Sequence, residues 1–180
     1  MMRNKLICLF ALLGMTISHL ALAANAAPLG QELGVATYAQ VKQQVGGKTD
    51  LSDAGTNKFS GGKMLQGNGD GLGMAGLSEV TFIFDHTDML AGVMMTLPKD
   101  SFKPTLKALS AKYKLVDSVV PFVGNASAKL KQGDSIIKLD APHLSFEMQV
   151  LYLTNSLSQA FQQQSSSERT AKEKRQADMF

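Results

Sequence analysis

The clearest signal along the chain is the two-residue period of apolar positions in SEVTFIFD. Val80, Phe82 and Phe84 share one face of an extended segment, and Thr81 and Ile83 share the other. Asp85, His86, Thr87 and Asp88 supply turn residues, and LAGVMMTL returns as a partner strand, so the pattern predicts a β-hairpin closed at Pro98. Upstream, TYAQVKQQVGG places Tyr38, Val41 and Val45 at i, i+3 and i+7, a single helical stripe. Thr37 and Gln40 have the spacing of a capping box, and Gly46 provides a left-handed stop. Downstream, Phe102, Leu106, Leu109 and Tyr113 form a second stripe with Lys103, Lys107 and Lys112 on its wet face. Asp100 or Ser101 serves as N-cap, and Pro104 falls within the first turn.

Between these elements the pattern weakens. KTDLSDAGTNKFSGGKML has sparse apolar positions and many turn formers, which predicts an edge strand and a loop. KLVDSVVPFVGNASAKLK and DSIIKLDAPHLSFEMQVLYLT alternate between turn signals and predict at least three strands. From Asn155 the composition turns to Gln, Ser and charge. Leu157, Ala160 and Phe161 predict two docked helical turns, followed by a solvated tail.

The two halves follow one plan, and KMLQGNGDG in the first lines up loosely with KLKQGDS in the second. The reading is a degenerate pair of αβββ repeats, residues 35–98 and 99–155, forming a two-layer α+β domain. It has one antiparallel sheet, its helices on one face, and a C-terminal helix and charged tail over 156–180. Over residues 35 to 153 this plan resembles the tandem-repeat architecture of β-lactamase inhibitor proteins and the single-unit fold of small outer-membrane assembly lipoproteins. The resemblance is architectural and rests on no motif. The lipoprotein cysteine is missing, so no functional residue carries over.

Before this domain, Arg3 and Lys5 precede the apolar run LICLFALLGM, and Ala21 and Ala23 supply small side chains before a cleavage point. Residues 1–23 therefore read as a secretory signal peptide cut after Ala23, with later cuts after Ala26 or Ala27 as alternatives. The apolar core is short for a membrane span. Residues 24–34 read as a linker. Cleavage removes Arg3, Lys5 and the single cysteine, Cys8. The remaining 16 basic and 15 acidic residues give a net charge of +1 and no disulfide. Near-neutrality argues against a nucleic-acid partner, which needs a pronounced basic face. The expected compartment is the periplasm of a Gram-negative bacterium, with no membrane insertion after cleavage.

Candidate chemistry is thin. Gly71, Gly73 and Gly76 have the G-x-G-x-x-G spacing, but a dinucleotide loop needs a buried strand before it and a helix after it. KMLQGN is too polar for a core strand, and a strand follows. GGKM lacks a phosphate-loop pattern, since Asn57 stands five before Gly62 and Met64 replaces the magnesium-binding hydroxyl. A calcium loop from Asn68 and Asp70 fails at Leu72, and Glu79 comes one position early. His86, Met89, Met94 and Met95 cluster on the hairpin and have the chemistry of a Cu(I) site, although Met94 and Met95 point to opposite strand faces. His143, with Asp140, Ser145 and Glu147 nearby, is the one hydrolytic candidate, and these groups crowd onto one short segment. No cofactor is expected. A binding surface is best sought at PFVGN and APHLSFE, with Phe122, Asn125, His143 and Phe146 as its residues. The leading expectation is a non-enzymatic module that binds another periplasmic or envelope protein as an inhibitor, an immunity protein or an assembly accessory. Small-molecule or copper binding, and weak hydrolysis through His143, are the alternatives.

Overall fold

The computed structural model describes residues 24–177; residues 1–23, on which the expected signal peptide and Cys8 fall, and residues 178–180 lie outside the described residues. The first half comprises α1 (Tyr38–Gly46), β1 (Leu51–Thr56), β2 (Gly61–Asn68), β3 (Glu79–Asp85) and β4 (Leu90–Pro98). The second comprises α2 (Phe102–Ser110), β5 (Lys114–Val119), β6 (Ala126–Gln132), β7 (Ser135–Ala141) and β8 (Glu147–Thr154), followed by α3 (Asn155–Ala177). One antiparallel sheet runs β1-β2-β3-β4-β8-β7-β6-β5. Each half is a meander, and the halves meet through their last strands, from Gly92 opposite Leu153 to Pro98 opposite Glu147. The fold is α+β. Each half contributes four strands, one more than the αβββ unit of the sequence reading. The KMLQ and KLKQ segments fall on the equivalent strands β2 and β6, one residue out of phase: Leu65 reaches the core from the third position and Leu130 from the second.

Alternation places Val80, Phe82 and Phe84, all without solvent exposure, against α1 and α2. Val93, Met95 and Leu97 of β4, with Met148, Val150 and Tyr152 of β8, extend that core across the central seam. The Thr37–Gln40 capping box forms as expected, and Val41 and Val45 are buried while Tyr38 meets Phe84 edge-on at 5.1 Å. No left-handed residue ends α1. Gly46 remains helical and the C-cap Gly47 is right-handed, with φ −73°, so the turn to β1 is made by tightened backbone hydrogen bonds to Val45. At α2, Phe102 and Leu109 are buried. Ser101 offers no side-chain cap, because a 3-10 turn over Lys99–Ser101 leads directly into the helix.

In the β3–β4 turn, Asp85 Oδ1 accepts from Thr87 N at 2.8 Å, Thr87 Oγ1 at 2.7 Å and Met89 N at 3.0 Å. Slight burial opposes ionisation of Asp85, but these donors and the neighbouring His86 outweigh it and hold the carboxyl below the usual carboxylate range. A carboxyl with a depressed folded pKa adds stability above its unfolded pKa of about 3.9 and loses it as pH falls through the lower folded value. Asp85→Asn is therefore expected to lower stability at pH 7 by about 1 kcal/mol. Thermal melts at pH 7 and pH 2.5 check this: the gap between wild type and variant shrinks at the lower pH.

Three segments differ from the sequence reading, and a fourth, the glycine run, is sharpened by the structure. KMLQGN forms strand β2, with Leu65 almost fully buried, because one well-placed apolar side chain and two hydrogen-bonded neighbours suffice inside a sheet. The glycine run is a set turn. Side chains at Gly69 and Gly71 would collide with the carbonyls of Leu77 and Lys48, and Gly71, Gly73 and Gly76 all have positive φ. Residues 24–34 are packed rather than a linker. Ala26 and Leu33 are fully buried, Ala26 N donates to Ser135 Oγ at 3.1 Å, and Asp134 N donates to Asn25 Oδ1 at 2.7 Å. The C-terminal segment is helical as far as Ala177, where a solvated tail was expected beyond two turns. Its Leu157 packs with Ala91, Leu153 and Ile83 on the sheet face opposite α1 and α2.

Candidate functional site

Apolar exposure is concentrated at one corner of the molecule. Among the described residues, eight of the eleven exposed large apolar side chains lie on β5 and two neighbouring loops. Leu115, Val116 and Val119 belong to β5, a strand at the open edge of the sheet with no buried residue, and Val120 follows it. Phe122 and Val123 extend from the β5–β6 loop, and Leu144 and Phe146 from the β7–β8 loop. Phe122, Leu144 and Phe146 are 106%, 93% and 94% exposed, values for side chains that touch almost nothing in their own chain. The opposite edge, β1, is LSDAGT, with a glycine, a carboxylate and a register shift; these features blunt edge pairing. β5 has a register shift and two charges, Lys114 and Asp117, but unlike β1 it also carries three exposed branched side chains.

The two loops are tied together by polar contacts. His143 N donates to Asn125 Oδ1 at 2.7 Å, and Lys99 Nζ donates to the carbonyls of Pro142 and His143 at 2.5 and 2.7 Å. Lys99 N also donates to Phe146 O at 2.8 Å. Beneath Phe122 lies a recess of about 330 Å³, lined by Phe102, Lys103, Val120 and His143 among others. The structure thus brings Phe122, Asn125, His143 and Phe146 to one place. Leu144 and the β5 valines, absent from that set, complete it. Their signal was present in LVDSVV, an apolar-rich strand segment whose exposure is set by its place at the edge of the sheet.

A second feature occupies the sheet face that carries α3. It is a groove of about 610 Å³. Its floor includes Met64, Ile83, Met94 and Leu151, and Leu157 and Phe161 of α3 wall one side. Phe161 meets Phe59 edge-on at 4.9 Å. Toward β6 the lining becomes charged, with Lys129 and Lys138 half-buried and Asp117 and Asp140 exposed. Burial, reinforced by the charge of Lys129, pulls the Lys138 pKa down.

The remaining candidates are dispersed. Met95 is buried in the core, Met94 faces the groove, and His86 sits in the turn before β4, whose first residue, Leu90, is already about 13 Å along the strand from Met94. Met89 belongs to that turn region and bridges to Thr37. Among the described residues no group of three or more His, Cys, Asp and Glu is placed to hold a metal. Asp140 lines the groove and His143 the recess under Phe122, so these two groups open into different cavities. On the helical face, burial pushes the phenols of Tyr113 and Tyr152 up; the two rings meet edge-on at 6.3 Å beside a recess of about 470 Å³. No helix among the described residues is long and apolar enough to cross a membrane. In comparison with known proteins, no family model, curated protein or solved structure matches the chain.

Proposed function

We propose that this chain is an exported, non-enzymatic module that binds another envelope protein through the β5 edge and the Phe122 and Phe146 loops. The single observation that supports this is the gathering of eight exposed large apolar side chains on one edge strand and two adjoining loops. A chain of this size does not ordinarily leave so many large apolar side chains in water along one edge and its adjoining loops, and such exposure marks interaction sites. An open strand offers unpaired N–H and C=O groups to an added strand of the partner. Phe122, Leu144 and Phe146 provide the large apolar anchors that dominate interface energetics, and the recess below Phe122 can receive a side chain in return. An inhibitor, an immunity protein or an assembly accessory would each use such a surface.

Export rests on Arg3, Lys5, the apolar run and the small residues Ala21 and Ala23. A cut after Ala23 also leaves intact the hydrogen bonds of Asn25 and the burial of Ala26, which cuts after Ala26 or Ala27 would remove.

The test is capture of partners from periplasmic extract with the mature chain and with the double variant Phe122→Asp/Phe146→Asp. Both side chains are exposed, so the variant is expected to melt within about 0.5 kcal/mol of wild type. It is also expected to lose a stoichiometric partner that the wild type retains, with an affinity loss of about 2–4 kcal/mol from hot-spot truncation. Wild type that captures no stoichiometric partner under several growth stresses would overturn the reading.

A further inference from the structure

The groove beneath α3 has a graded lining. One row of side chains crosses the sheet in register: Thr81 opposite Met94, Met94 opposite Leu151, Leu151 opposite Lys138, Lys138 opposite Lys129, and Lys129 opposite Asp117. The β2, β3, β4 and β8 end is walled by Met64, Ile83, Met94, Leu151, Leu157 and Phe161. The β7 and β6 end has the two lysines as its half-buried charges, and the carboxylates of Asp117 and Asp140 stand exposed at the rim.

Like charges directly opposite one another in a sheet are destabilising, and neither Lys129 nor Lys138 forms an ion pair among the described residues. Lys138 leans over the Phe161 ring at 6.0 Å, toward the apolar half. A half-buried cationic pair at the end of an apolar slot is complementary to an anion that carries an apolar chain. From Met64 on β2 to Lys129 on β6 the slot crosses five strand spacings, about 24 Å. An all-trans hydrocarbon chain, with C–C bonds of about 1.5 Å, advances about 1.25 Å per carbon, so about 14–18 carbons fill that length together with a head group. The volume of about 610 Å³ is in the range of small-molecule sites.

We infer that the groove is a binding site for a free long-chain fatty acid, with the acyl chain along Ile83, Met94 and Leu151 and the carboxylate on Lys129 and Lys138. This site meets the β5 edge only at Asp117, shares no residue with the Phe122 and Phe146 loops, and does not depend on the protein-binding reading.

The chain contains no tryptophan, so Phe161→Trp in the mature protein creates a single tryptophan at the groove wall, excited selectively over the three tyrosines. Titration of this variant with palmitoleate below its aggregation concentration is expected to give a saturable blue shift at 1:1 stoichiometry. Adding Lys129→Gln/Lys138→Gln is expected to weaken palmitoleate binding at least about tenfold, the loss of charge-assisted hydrogen bonds. The same substitutions should leave hexadecanol binding unchanged, and Lys103→Gln/Lys107→Gln on α2 should have no effect. Lys138→Met is expected to raise the melting temperature of the unliganded protein while it lowers palmitoleate affinity, a combination that a purely structural lysine would not give. Absence of a saturable shift would overturn the inference. So would equal affinity for palmitoleate in the lysine variants, or loss of binding on Phe122→Asp/Phe146→Asp, which would place the ligand on the loops.

Discussion

Leu33→Ala is expected to destabilise the folded chain by about 2–5 kcal/mol, as for a large-to-small change in a well-packed core. Deletion of residues 24–34 is expected to cost more. Leu33 is fully buried although it lies before α1, and Leu33 N donates to Ala26 O at 3.0 Å, which closes this segment on itself. Gly34 N then donates to Leu90 O at 2.8 Å and Leu90 N to Ala36 O at 2.8 Å, so the segment is attached to the start of β4. At its other end, Asn25 and Ala26 bind the β6–β7 turn at Asp134 and Ser135, and Gln132 Nε2 donates to Ala24 O at 3.0 Å. One short stretch thereby joins the first half of the sheet to the second. Urea unfolding checks both variants: a midpoint within error of wild type for Leu33→Ala would show that the segment is an appendage.

Gly92→Val is expected to loosen α3 from the sheet and to cost about 1–3 kcal/mol through overpacking. A Cβ at Gly92 would approach Leu157 Cδ2 at 3.0 Å, Tyr152 O at 3.1 Å and Leu153 Cδ2 at 3.2 Å, and the branched methyl groups of valine add to that crowding. The favourable strand propensity of valine offsets part of the cost. Gly92 opposes Leu153 at the central seam, so the missing side chain is what allows Leu157 to sit over β4 and β8. Hydrogen exchange is the discriminating measurement. Faster exchange confined to the first turns of α3, with β3 and β4 still protected, is the expected result. Uniform loss of protection would place the strain in the core instead.

The periodic elements were legible from composition and spacing. Phe82 and Phe84 alternate with polar or opposite-face residues over a whole strand, and Val41 and Val45 lie on one helical stripe behind a capping box. Local geometry and the transfer of apolar surface from water act together there. Phe122 and Phe146 could be picked out because aromatic residues stand among turn formers, and the structure places both on the same corner. Less was legible where the neighbours that decide burial are distant in sequence. GKMLQGN carries too little apolar periodicity to announce a strand, yet β2 forms because β1 and β3 flank it. Residues 24–34 read as a linker because a segment without periodicity can still be buried when Ser135 and Leu90, far along the chain, supply its hydrogen bonds.

By itself, the sequence determined the fold class, the hairpin at 79–98 and the two helices with their buried stripes, since each follows from periodicity along single elements. Tertiary structure alone decided that β5 is an edge rather than a core strand, that α3 covers the reverse face, and that Lys129 and Lys138 meet at one end of an apolar groove. Strand order sets these outcomes. Alternation along a strand states which residues share a face, but only the pairing of β4 with β8 states what each face and edge will meet.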